Sequence, residues 1–337
     1  MTHVFANAPT ELRDLIAATS QSEFATLTKQ LVPIANPLFH YYDSGDPTID
    51  IATGLAYPAK ADRVRSNPKV GLLLGPAVHA HDPIAILEAG APDSRNLADQ
   101  PVVAIAAIGA VRDADLQANT DKYVDRFLAE HPNIGPTDWD TLKTMTNYWV
   151  RIWVECAPCR VYWWPTGKLN DEAPMIWEAP PGMDFPSSDP APAKKGTPRA
   201  RWPAEPWVER AEAVLHQFPR PILTSMTEDG FPLPMPTNSA RMNQEGFELD
   251  IPVHGPVRAE EGNACLSFGA LATFTGHLSP GVQGTNFVVD RLIGNLPSIF
   301  QNEGEQFDAM AKRQVAELER RGQPMPEIRK GYSPRGR

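Results

Sequence analysis

Cysteine is scarce in this 337-residue chain, with only Cys156, Cys159 and Cys265. So few thiols argue against a disulfide-stapled scaffold and fit a reducing compartment. Long apolar runs are also missing. The longest, residues 101–111, has 11 residues, short of the roughly 18 or more that a membrane-crossing helix needs. The start, MTHVFANAPTELRD, lacks the basic residues and apolar stretch of a secretory signal. Positive charge is in deficit, with 31 Lys and Arg against 41 Asp and Glu and a net charge of −10. That balance argues against a general nucleic-acid binder, which needs a basic face, though not against a local anion pocket. A Gly-x-Ser-x-Gly elbow, a Walker loop and a Gly-x-Gly-x-x-Gly fingerprint are absent too, which weakens hydrolase, nucleotidase and Rossmann readings. The expectation is a soluble cytoplasmic protein with neither a membrane nor a nucleic-acid partner.

Proline, by contrast, is plentiful at 35 residues, favouring loops, sheet edges and short connections over long helices. Hydrophobic residues make up 42%, enough for substantial cores, and the length favours about two domains. Residues 49–75, IDIATGLAYPAKADRVRSNPKVGLLLG, are the organising stretch. Ile49, Ile51 and Thr53 alternate with Asp50 and Ala52 as in a half-buried strand. Gly54 frees the backbone, and Pro58 suits the first position of a helix. Lys60 and Arg63, three apart, share one side of that short helix. Asn67-Pro68 closes it, and VGLLLG reads as a core strand. Unpaired helix-start N–H groups, a Lys and an Arg around one point attract a phosphate. The competing reading is a solvated basic helix between two strands.

Around this stretch, residues 10–20 read as an amphipathic helix, and 24–31 and 34–42 as strands. Residues 43–47 form a turn, and 76–100 a long loop. Residues 101–111 read as a buried strand, 116–130 as a helix, and 148–164 as a long aromatic-rich strand. Residues 170–206 carry nine prolines and form a semi-rigid linker, with Trp177, Phe185, Trp202 and Trp207 as anchors to the surface. Beyond it the order of elements repeats: a helix over 205–217, then PILTSMT in the place of FATLTKQ. PLPMPTNSARMN parallels PIANPLFHYYD, and GFELDIPVHGPVRAEEGNACLSFGA parallels the organising stretch, short polar helix included. A strand over 285–293 and a helix over 301–321 close the chain. The expected division is a first domain over residues 1–169, a linker over 170–206 and a second domain over 207–337. The expected fold is mainly β, two split antiparallel barrels with short peripheral helices.

The run AT…K…NPKV, with the proline-bearing strand before it, resembles the flavin-binding split barrels, which include pyridoxamine 5'-phosphate oxidase and the flavin/deazaflavin oxidoreductases. The resemblance covers residues 21–165 well and 215–295 more loosely. Members are small antiparallel barrels that usually dimerise, with FMN in the groove between protomers. By that resemblance Thr53 and Lys60 hold the FMN phosphate, Ala59 adds a backbone amide, and Pro37 and Leu38 lie against the isoalloxazine ring. Arg63 joins them from helix geometry alone. The implied activity is FMN-dependent oxidoreduction of a small organic molecule, with hydride passing to or from flavin N5. The second copy departs from the pattern. It has no counterpart of Lys60 and offers only His254 and Arg258, followed by Glu260 and Glu261, which a phosphate would oppose. One site per chain is therefore expected, with the second copy standing as a built-in partner; two chains could associate further. Deazaflavin, haem held by His79, His254 or His277, a non-catalytic flavin carrier and a cofactor-free interaction module are the alternatives. No catalytic residue is assigned; His40, Tyr41 and His254 are the candidates for an acid or base.

Other constellations have plainer readings. Cys156-Ala157-Pro158-Cys159 has dithiol spacing, but strand-like flanks point to two ordinary cysteines around a bend. With Cys265 alone beside them they make no zinc site. His79 and His81, with Asp82 and Glu88 nearby, read as an exposed loop before a metal site. Trp149, Trp153, Trp163 and Trp164 read as sheet packing before a stacking platform.

Overall fold

The structure, a computed structural model, describes residues 4–75, 100–130, 136–193, 206–257, 261–269, 271–281, 284–294 and 303–329. The 76–99 segment, with His79, His81, Asp82 and Glu88, therefore lies outside the described residues, as do Arg258 and Glu260. Six strands build the first half: β1 (Gln21–Leu27), β2 (Pro33–Tyr41), β3 (Ile49–Gly54), β4 (Lys69–Leu74), β5 (Val102–Arg112) and β6 (Arg151–Trp164). They pair antiparallel in the order β3-β2-β1-β4-β5-β6, and β3 also pairs with β6, so the sheet closes into a six-stranded barrel. Closure leaves these strands without open edges. A short β7 (Met175–Glu178) extends the sheet along β6.

Inward-facing Phe24, Ile51, Leu72, Ile105, Val154 and Trp163 fill this barrel. Helix α1 (Thr10–Ala17) adds Leu12 and Ile16, four residues apart and so on one face. Helix α2 (Ala59–Ser66) joins β3 to β4 and buries Ala61 and Val64. Three helices, α3 (Leu116–Glu130), α4 (Pro136–Leu142) and α5 (Thr146–Trp149), lie between β5 and β6. The sequence reads 148–164 as one strand, yet Tyr148 and Trp149 end α5 and the strand begins at Arg151. Tertiary packing overrides β-propensity there. The Trp149 indole donates to Leu142 O at 2.7 Å, and its ring meets Phe127 and Trp139 edge-on.

Residues 170–193, the described part of the proline-rich stretch, lie along this barrel. Trp177 of β7 packs edge-on against Phe5, and the Asp189 carboxylate accepts the backbone N–H groups of Asp113 and Ala114. The second half opens with α6 (Trp207–Gln217). Its strands are β8 (Ile222–Met226), β9 (Pro232–Pro236), β10 (Ser239–Met242), β11 (Gly246–Asp250), β12 (Gly262–Ser267), β13 (Thr273–Pro280) and β14 (Thr285–Gly294), and α7 (Glu303–Arg321) follows. The sheet order is β10-β11-β14-β13-β12-β8-β9, all antiparallel. With β8 set on β1 this repeats the order of the first sheet, β9 and β10 together standing for β2. The strand breaks at Thr237 and Asn238, whose N–H groups turn to Pro221 O and Asp250 O on opposite sides. Prolines at 232, 234 and 236 supply no donors along β9. This sheet is thus a curled half-barrel rather than a closed ring. Residues 251–257 of the second copy form turns around Pro252, Gly255 and Pro256, and residues 258–260, on which the expected short helix falls, lie outside the described residues.

The halves pack reciprocally: β2 lies on β8, β12 and β13, while β9 lies on β1, β4 and β5. Leu73, Ala104 and Trp164 meet Ile222, Leu233 and Met235 in a shared apolar core. Contact is closest at Gly71, where any Cβ would come within 1.8 Å of Pro232 O. Among the described residues no helix is long and apolar enough to cross a membrane.

Candidate functional site

The start of α2 is uncapped by any side chain, so its first N–H groups have no partner within the helix. Pro58 stands one position earlier than the sequence suggests, as the N-cap residue, and Ala59 is the first helical residue. Lys60 follows in the first turn. Arg63 is turned inward and buried, its Nε donating to Thr26 Oγ1 on β1 at 2.7 Å. Thr53 is buried on β3, one residue before the strand end.

A residue that spacing did not reveal completes the group. Gly54 pairs with Arg151 across the β3–β6 ladder, next to Thr53 and Ile152. A methyl group at Gly54 would lie 3.4 Å from Arg151 Nη1 and 3.9 Å from Tyr57 Cδ2. The Arg151 guanidinium stacks on Tyr123 and Tyr148 at 4.4 and 4.7 Å, and its buried Nε has no hydrogen-bond partner among the described residues. Nothing in the run YWVRIWVE marks this arginine; closure of the barrel alone carries it to α2.

Lys60 is partly exposed and stands in a cationic setting. Burial first, then the charges of Arg63 and Arg151, push its pKa down to about 8. Among the described residues no carboxylate pairs with it; Asp62 in the same turn is held by Arg320 at 3.3 Å. The charges of Arg63 and Arg151 thus both act on Lys60, next to the helix-start amides. The donor set suits a phosphate, which supplies the missing charge and several acceptor oxygens.

Strands β2 and β3 pair only at His40–Ile51 and Tyr41–Asp50. Extended by two residues, that register would set Leu38 against Thr53, but no pairing forms there, so the strands part at these positions. Leu38 packs toward the barrel core. Its neighbour Pro37 pairs with Glu23 of β1 and points to the opposite face, as alternate strand residues do. Ala59 and Lys60 therefore stand in the first turn of α2 and Arg63 in its last turn, with Thr53 on the strand that leads into the helix. Pro37 and Leu38 lie on β2 beyond its pairing with β3 and do not present both side chains to one surface.

The remaining candidates have structural surroundings. His40 is buried behind α1, its Nε2 3.2 Å from Thr19 Oγ1. Tyr41 packs edge-on against Trp153 and Tyr123. His277 is half-exposed and pairs with Asp290 at 3.4 Å. The backbone N–H of His254 reaches Leu169 O at 3.4 Å. Cys156 faces the barrel core, while Cys159 borders the core between the halves. Burial pushes the Cys156 thiol well up and that of Cys159 to about 11. Trp149, Trp153, Trp163 and Trp164 are all buried. No cluster of metal-ligating side chains occurs among the described residues.

No family model and no curated protein matches this chain. Solved structures do. One is a protein related to general stress protein 26, of the pyridoxinephosphate oxidase family, from Clostridium acetobutylicum. It is 9% identical, covers 53% of this chain and 96% of its own, and has a TM-score of 0.31. HutZ, the haem storage protein of Vibrio cholerae, is 12% identical over 44% of this chain and 87% of its own, with a TM-score of 0.28. An F420 reductase is 11% identical over 44% of this chain and 94% of its own, also at 0.28. At these identities and scores the likeness is a partial one of fold, and nothing about ligands passes from it to this molecule.

Proposed function

We propose that this chain binds one FMN and acts as an FMN-dependent oxidoreductase on a small organic molecule. The observation that carries the reading is Lys60 at the uncapped start of α2, with the charge of Arg151 acting on it and no carboxylate among the described residues paired with it. Lys60 and Arg151 neutralise the phosphate, Ala59 and the following amides donate to it, and Thr53 closes the pocket from β3. Arg63, anchored on Thr26, adds charge from below. The parted lips of β2 and β3 admit the ring, with Pro37 and Leu38 along one lip. When bound, FMN supplies hydride exchange at N5; the chain supplies binding, orientation and exclusion of water.

The second half, in this reading, is a duplicate of the first that has lost its own phosphate site and serves as the wall a partner protomer would provide. Matching strand order and reciprocal packing of β2 and β9 support that view, with domains over 1–169 and 207–337 and a linker between. A deazaflavin cofactor, whose side chain also carries phosphate, would use the same cluster.

The test is the small molecule released from protein purified under mild conditions. A flavin spectrum together with the mass of FMN supports the proposal, whereas the mass of a deazaflavin redirects it to that cofactor. A Soret band, or protein that takes up neither flavin on titration, overturns it.

A further inference from the structure

Helix α7 crosses the outer side of this site. Leu318 enters the first barrel's core. Arg320 pairs with Asp62 of α2, and Arg321 with Asp113 at 3.1 Å. Fully buried Glu317 contacts both of these arginines, so their charge is met within the protein. Arg313, about two turns earlier, is placed differently. Its guanidinium lies 4.9 Å over the Tyr57 ring, and its Nη2 donates to Tyr57 Oη at 3.3 Å. Its Nε is buried with no hydrogen-bond partner, and no carboxylate among the described residues pairs with it.

Tyr57 immediately precedes the Pro58 cap, and the point beside Gly54 that Tyr57 approaches is also the one Arg151 Nη1 approaches. Two buried guanidinium Nε groups, one from β6 and one from α7, are thus left unsatisfied around the same end of α2. Buried donors without partners are rare because each costs its desolvation. A shared ligand with several acceptor oxygens resolves both.

We infer that Arg313 of the C-terminal helix completes the phosphate-binding group and that ligand binding locks α7 onto the first barrel. This rests on the phosphate reading of the Lys60 cluster. Coupling runs both ways: whatever α7 adds to ligand affinity, the ligand adds to the docking of α7.

The test compares FMN with riboflavin, which lacks the phosphate, on the full-length chain. Arg313→Gln should weaken FMN binding about tenfold, the size of one charge-assisted contact, and leave riboflavin binding unchanged. Arg313→Lys should recover part of the loss, and FMN should slow amide exchange across 303–321 in the native chain. If Arg313→Gln weakens FMN and riboflavin equally, the residue only holds the fold and the inference fails. If Lys60→Ala weakens FMN but Arg313→Gln does not, the inference fails while the site stands. If neither substitution changes FMN affinity, both fall together.

Discussion

Gly54 and Arg151 face each other across the β3–β6 ladder, and that one pairing brings a further cation to a loosely basic helix start. The arginine stacks on two tyrosines, which fixes its plane, and its charge reaches Lys60. Without barrel closure, α2 would carry only its own two cations to the site.

Lys60→Ala should weaken FMN binding by roughly 1.5–3 kcal/mol, as expected for a lost charge-assisted contact. Affinity should also depend on pH. Free Lys60 titrates at about 8, so above that pH the lysine must take up a proton to meet the phosphate, and affinity falls as pH rises. Flavin-fluorescence titrations at pH 7 and 9 check both points; a Kd that ignores the substitution removes Lys60 from the site.

Glu23 is fully buried on β1, and neither carboxylate oxygen reaches hydrogen-bonding geometry with a described residue. Burial raises its pKa to about 8, offset in part by the Ser267 hydroxyl of the other half. Folded protein thus holds a proton that the unfolded chain releases near pH 4.5, so stability is greatest below that pH and declines as pH rises toward 8. Glu23→Gln should flatten the decline and stabilise the protein above pH 8 by on the order of 2–4 kcal/mol. Denaturant melts at pH 5, 7 and 8.5 measure this, and parallel profiles for both proteins would refute it.

Gly71→Ala should loosen the two halves. Its Cβ would sit 1.8 Å from Pro232 O, a backbone atom of β9, so one sheet must shift. The expected loss is about 3 kcal/mol, at the upper end for overpacking. A thermal melt within a degree or two of the native protein would show that the contact is not tight.

Cys156→Ser and Cys159→Ser should leave turnover and flavin content unchanged. The two thiols belong to different cores, and burial holds both in the thiol form, unlike a redox pair. Cys156→Ser should lower stability by about 1–3 kcal/mol for its buried hydroxyl. A folded, flavin-loaded variant without activity would restore a dithiol role.

Much of this molecule is written in local pattern. Periodicity alone locates α3 over Leu116–Glu130, the strands on either side of α2 and the long C-terminal helix, because each signal lies within one element. The order in which the strands recur is legible for the same reason. What pattern did not reveal is long-range. Only strand pairing brings Arg151 beside Gly54, only the folding back of α7 sets Arg313 over Tyr57, and only packing of the halves buries Glu23 against Ser267. The broken β9–β10 strand, which keeps the second sheet from closing, follows from how prolines and the turn at Thr237 meet two neighbouring strands. Residue types determine the elements and the supply of charge. Which charges end up facing one another, and which are left without a partner, depends on contacts between segments far apart in the chain.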